Sequence, residues 1–398
     1  MPRPAPEPPT GSVPATDAVP PSLVNLVLSG ARDIARVPTA LDAELLLSTL
    51  VGGAYAALEP DRGPALESLA QALAAHARTV DSAPARLVRA VLTGTVSDAA
   101  PWSPALATVR PTGGWAYGDR YGDQTGYLAT FAYDDEALGG PEHAVVFLVD
   151  HNLGLVKDLV VIAPAAVVLD QIRAVDDEMT WHAPLDPASV GAAARAYLRA
   201  TDLSDELPAT ESLLDNRYLA GRRLALLPAA PPTEPTPPPA RDELLGDFLD
   251  SPEARLSGLT RASGARQEAI GYGLGLCLDF AEARGGDPLR WSPLAVESFL
   301  LEWVHGRAVL DPQDATILPD ALGAWVSWAG RRVGLPEPAV AETLDRIDAL
   351  RAEFARLFAT GERQSPAVRA TAQLVAEGVD VTDPAAVEEW LAAYNARQ

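Results

Sequence analysis

The pattern of apolar and polar positions changes character near residue 115. Before it, apolar residues recur every three or four positions, the spacing of helices with one buried face. "SLVNLVLSGARDIARV" opens this region. "GPALESLAQALAAHARTV" sets Leu66, Leu69 and Leu73 on one face, with His76 beside the stripe as a packed or solvent-edge side chain. "SAPARLVRAVLTG" offers Ser82 as N-cap and Gly94 as the helix end.

From about residue 115 the runs become short, aromatic and β-branched: "WAYGD", "GYLATFAY", "HAVVFLVD" and "VKDLVVI", parted by Gly, Asp and Asn clusters. This predicts a four-stranded antiparallel meander over about 115–163. "AVVFLV" is apolar at every position, so both faces of the sheet should be covered by helices. Helical segments follow near 164–176, 187–201 and 208–226.

Past residue 244 no strand pattern remains. In "WSPLAVESFLLEWVHG", Ser292 is the expected N-cap and Pro293 suits the first helical position; Val296, Phe299, Leu300, Trp303 and Val304 make one apolar face before Gly306. Val340, Leu344, Ile347, Phe354 and Leu357 keep helical spacing, and "TDPAAVEEWLAAYNARQ" begins another capped helix. Six or seven helices are expected here. Trp291, Trp303, Trp325 and Trp328 read as core, and His305, near a helix end, as a cation favoured by the helix dipole.

Proline divides these patterned regions. Residues 1–21 hold eight prolines and little that could form a core, which predicts a disordered arm; "PAAPPTEPTPPPARDE", 228–243, reads as an extended linker. The expected fold is therefore α+β: a helix-covered antiparallel β-meander domain over 22–227, then a separate all-α helical bundle domain over 244–398.

Charge narrows the function classes. The chain carries a net charge of −23, and residues 242–398 contribute 25 acids against 14 arginines, a balance of −11, which leaves −12 for the rest. Neither part has a basic footprint for phosphates, so direct nucleic-acid or membrane binding is disfavoured and a protein partner is expected. The single cysteine, Cys277, sits in apolar "GLGLCLDF", reads as core, and fits a reducing, cytoplasmic setting. No stretch has the roughly 18 apolar residues of a membrane span, and the N-terminus lacks an apolar signal region.

Chemistry-bearing motifs are few. Phosphate loops, nucleophile elbows, HExxH and calcium loops have no match, and glycines 271, 273 and 275 read as sites of close helix packing. His143 and His182 have no evident partner. The candidate site is one rim of the meander: the turns "GDRYGDQT" and "DHNLG" fall at the same end of the sheet. That brings Asp119, Asp123, Asp150, His151 and Asp158 toward one edge, with Tyr121 and Gln124 as further hydrogen-bonding groups. Such carboxylates could hold Mg2+ or Mn2+ through oxygen, or supply a general base. The same residue types are also those of ordinary tight turns, where Asp caps backbone N–H groups.

Lys157, the only lysine, depends on hairpin register. With a three-residue loop, Asn152–Gly154, it faces Val149 on the His151 side and could act as base or nucleophile; with a two-residue loop it pairs with Asp150. A surface lysine is the plain alternative.

At "WAYGDRYGDQTGYLATFAY", "HAVVFLVDHNLGLVKD" and "RWSPLAVESFLLEWVHGR" the chain resembles a family of acidic, uncharacterised proteins of high-GC actinobacteria, over most of residues 40–360. That resemblance implies no activity, cofactor or site residue. Residues 265–335 are similar in rhythm to the helical core-binding domain of tyrosine recombinases, which grips DNA. They depart from it in their acidity and in having no catalytic Arg, His-x-x-Arg and Tyr set after them. The expected function is a cytosolic, non-enzymatic interaction or regulatory protein. A metal-assisted hydrolase using the rim is the alternative, and nucleic-acid binding through the helical part the third.

Overall fold

The computed structural model describes residues 20–57, 66–80, 82–175, 177–204, 210–231, 240–284, 286–380 and 382–396. Most of the proline-rich arm and linker lies outside them. The arm's last residue, Pro21, already begins a helix, Pro21–Gly30, and the last three residues of the expected linker, 241–243, are helical rather than extended, as the start of the helix Arg241–Leu249.

The strands are β1 (Arg110–Asp119), β2 (Gln124–Ala132), β3 (His143–Asp150), β4 (Leu155–Ile162) and β5 (Thr180–Pro184). They form one sheet, antiparallel throughout, in the order β4-β3-β2-β1-β5. The first four form the expected meander. β1 starts earlier than its residue pattern suggests, because "RPTGG" is poor in strand formers and joins the ladder through an irregularity between Pro111 and Gly113. β5 is an addition to the expected sheet: five residues ending in proline are too short a run to mark a strand, and the ladder to β1 makes them one.

Helices cover both faces, as the apolar β3 requires. Phe131, Val145, Phe147 and Leu159 pack with Val190, Ala194, Leu198, Leu213 and Leu224 of the helices Pro187–Asp202 and Glu211–Leu226. On the other face Leu128, Ala144 and Val146 meet Ala165 and Val168 of the helix Ala165–Ala174. The helix Ala40–Ala56 lies against Glu211–Leu226, where Ser48 Oγ donates to the Asp215 carbonyl at 2.6 Å and accepts the Leu219 N–H at 3.1 Å. Gly52 permits this approach, since a Cβ there would stand 2.2 Å from the Leu214 carbonyl oxygen.

Ser82 and Ser292 cap their helices, accepting the N–H of Ala85 at 3.3 Å and of Ala295 at 3.0 Å, and Gly94 ends its helix at φ 66°. Residues beyond 240 bury a core of their own around Phe248, Cys277, Phe299, Trp325 and Phe354. Trp291, Trp325 and Trp328 are buried and Trp303 half-buried. Two expectations change here. Only Gly273 faces another helix, where an added Cβ would stand 3.1 Å from Leu318, whereas a Cβ at Gly271 or Gly275 would point into open space. His305 is buried against Phe354, and burial lowers its imidazole, so it is neutral rather than a dipole-stabilised cation.

Candidate functional site at the sheet rim

The meander sets the β1–β2 and β3–β4 turns side by side, joined by the His151 N–H donating to the Asp123 carbonyl at 2.8 Å. Asp119 closes the first turn, its two oxygens accepting the N–H of Asp123 at 3.1 Å and of Gln124 at 2.7 Å. Asp150, which pairs with Gln124 across the ladder, closes the second by accepting from Asn152 at 2.9 Å and Leu153 at 3.3 Å. These are the turn-capping roles that short acidic side chains serve.

The hairpin register differs from both alternatives. Asp150 pairs with Leu155, the loop is the four residues 151–154, and Gly154 takes the left-handed conformation at φ 70°. The ladder then skips: Val149 pairs with Val156 and Leu148 with Asp158, leaving Lys157 as the extra residue of a bulge, exposed. Lys157 therefore faces neither Val149 nor Asp150. Asp158 lies up the strand from the turn, taking the Ser212 hydroxyl and, at 2.8 Å, the Leu159 N–H.

His151 is held at both nitrogens. Tyr197 Oη lies 3.0 Å from Nδ1 and Thr125 Oγ1 2.9 Å from Nε2. Burial, followed by the Arg290 charge, lowers the imidazole despite three nearby aspartates, while burial raises the Tyr197 phenol. A neutral ring that accepts the phenol proton at Nδ1 and donates from Nε2 to Thr125 satisfies all three groups.

The remaining rim groups meet side chains from beyond residue 240. Arg290 donates to the Gly122 carbonyl at 2.9 Å, the His151 carbonyl at 3.2 Å, and Asp123 Oδ1 and Asn152 Oδ1 at 3.3 Å each. Arg284 donates to the same Asn152 oxygen at 2.5 Å. Tyr121 donates to Glu342 at 2.5 Å, and burial together with that carboxylate raises its phenol. Among the described residues, no group of three or more His, Cys, Asp or Glu side chains could hold a metal ion. The rim acids cap turns or face arginine.

A second polar cluster lies inside the molecule. Glu44, Tyr133, His143 and Arg223 are all nearly inaccessible. Arg223 donates to Glu44 at 3.1 and 2.5 Å, and its Nε lies 2.9 Å from His143 Nε2. Tyr133 Oη accepts from Arg223 at 2.7 Å and donates to Glu44. Burial alone would raise the Glu44 carboxyl, but the charge and hydrogen bonds of Arg223 outweigh it and hold it below its ordinary value. Burial and the Arg223 charge lower His143 to about 3, so it accepts from the guanidinium as a neutral ring. His143 thus has partners that its sequence neighbours do not announce. Cys277, fully buried, has its thiol pushed well up by burial.

No protein-family model, curated protein or solved structure matches the chain.

Proposed function

We propose that this is a cytoplasmic, non-enzymatic binding or regulatory protein of two domains, in which the meander rim is the joint that holds the helical domain. The carrying observation is Arg290. One side chain from the helical half bonds to both turns of the sheet, and the rim carboxylates and imidazole are engaged by the chain itself. A general base or metal ligand needs an accessible lone pair, whereas these groups direct theirs at backbone N–H, arginine and phenol. The thiol favours the same setting: a single buried cysteine suits a reducing compartment.

A protein partner remains the expected kind, in preference to nucleic acid. Arginines of the helical half pair with its own acids, Arg331 with Glu253, Arg332 with Asp247, Arg346 with Glu297 and Arg351 with Asp320, which leaves them poorly placed to neutralise phosphates.

Solution scattering of wild type and R290E, with metal analysis of wild type and the D119N/D150N double variant, tests the reading. A larger radius of gyration for R290E and no stoichiometric Mg or Mn in wild type are expected. A stoichiometric metal lost in D119N/D150N would overturn it in favour of a metal-assisted enzyme.

A further inference from the structure

We propose that the cleft between the sheet rim and the helical half binds a small organic acid with a flat apolar body, its carboxylate held by Arg120. The inference rests on the joint described above, because the two sides of the cleft come from the two sides of that joint. The cleft has a volume of about 370 Å³, inside the range of about 300–1,000 Å³ typical of small-molecule sites. It is built from the β1–β2 turn, β5, the turn before the helix that Ser292 caps, and the junction between the helices Pro312–Val333 and Glu337–Thr360.

Its walls mix apolar and polar groups, and two indole rings among them are fixed. Trp181 donates its indole N–H to the Asp119 carbonyl at 3.1 Å and Trp291 to the Pro288 carbonyl at 3.0 Å, so each ring is held by its polar edge. Leu289, Val333 and Leu335 supply the aliphatic part of the lining, with Tyr121 and Gly334 beside them. The half-buried Trp181 ring, set by its own hydrogen bond, favours a flat apolar ligand, because little side-chain freedom is lost on binding, while the buried Trp291 closes the floor.

Arg120 and Arg290 face the cleft with one acid, Asp287, and the Arg290 charge is paired with Asp123, so Arg120 is the cation placed to meet a ligand. Arg290 is committed to the rim, and Asp287 Oδ1 accepts the Leu289 N–H at 2.8 Å. Arg120 is exposed, its backbone N–H tied to the Met179 carbonyl at 2.8 Å. Its Nε donates to the Glu178 carbonyl at 3.3 Å, and it enters no ion pair among the described residues. A guanidinium whose terminal NH groups have no partner among the described residues, beside the Trp181 ring, suits bidentate capture of a carboxylate.

Isothermal titration of the full chain with 2-naphthoate, benzoate and the neutral 2-naphthamide tests this. Wild type is expected to bind 2-naphthoate saturably at one site per chain, benzoate more weakly, and the amide about ten-fold more weakly than naphthoate. R120A should lose about ten-fold for naphthoate, R120K should recover part of it, and neither should change amide binding. No saturable naphthoate binding to wild type, or equal affinity of wild type and R120A, overturns the proposal. Scattering of R290A separates the two ideas: expansion of R290A without naphthoate binding to wild type sinks the cleft alone, whereas naphthoate binding with R290A as compact as wild type sinks the joint alone.

Discussion

Arg223 and Arg290 each gather groups from distant parts of the chain, in different surroundings. Arg223 is sealed, 1% exposed with its partner Glu44 at 1%, and links the helices Ala40–Ala56 and Glu211–Leu226 to the sheet through Tyr133 and His143. Arg290 stays 18% exposed beside Asp123 at 16%, and three of its four contacts are with uncharged oxygens. The first is an ion pair whose loss strands a charge in a dry interior. The second is a set of hydrogen bonds that water can replace. A buried pair therefore fixes the packing within the α+β half, while a half-buried one can hold two parts together and still let them separate.

Breaking the inner pair should have the largest effect. R223M leaves Glu44 buried without its counter-charge, and a loss of about 3–5 kcal/mol in denaturant unfolding is expected. The E44L/R223M double variant should lose less than R223M alone, which would mark the stranded charge as the cause.

Acid distinguishes the two regions next. His143 titrates at about 3 in the folded protein, against about 6.5 in an unfolded chain. Between those values the unfolded chain binds a proton that the folded one refuses, so this contribution is complete above about pH 6.5 and is lost as pH falls. Going from pH 6.5 to 5 should cost about 2 kcal/mol, with His151, also lowered, acting in the same direction. H143Q should flatten the slope of stability against pH; an unchanged slope would assign the acid sensitivity elsewhere.

R290A should cost about 1–2 kcal/mol, less than R223M, with the change confined to contacts between the rim and the helical half. Smallest of all is K157R. At an exposed bulge position it should stay within about 0.5 kcal/mol of wild type and leave any measured binding unchanged, whereas a larger effect would restore a chemical role to the only lysine.

The two regions also differ in how far they can be read from sequence. The rim was legible because meander topology and turn composition are local: short aromatic and β-branched runs gave four strands, and Asp and Gly clusters gave the turns, so Asp119, Asp123, Asp150 and His151 could be placed together. Register was less legible, since the bulge that turns Lys157 outward depends on pairing after a four-residue loop. The arginines that complete the rim, Arg284 and Arg290, look like any others in an arginine-rich helical half, and nothing local marks them as reaching residues 122 and 152. The inner cluster was invisible for the same reason at greater range, as Glu44 and Arg223 are 179 positions apart. Its one local trace is the single charged residue inside "AELLLSTLV". Long-range side-chain pairing, unlike periodicity, leaves no pattern in a single chain.

The central claim, that the rim is a joint, is tested most directly by hydrogen exchange of wild type and R290A in native buffer. Amides of residues 119–124 and 150–154 should exchange faster in R290A, together with those of 284–291, while the strands β2 and β3 and the helix Glu211–Leu226 remain as protected as in wild type. Unchanged protection of both turns, or a uniform loss across the whole sheet, would contradict it.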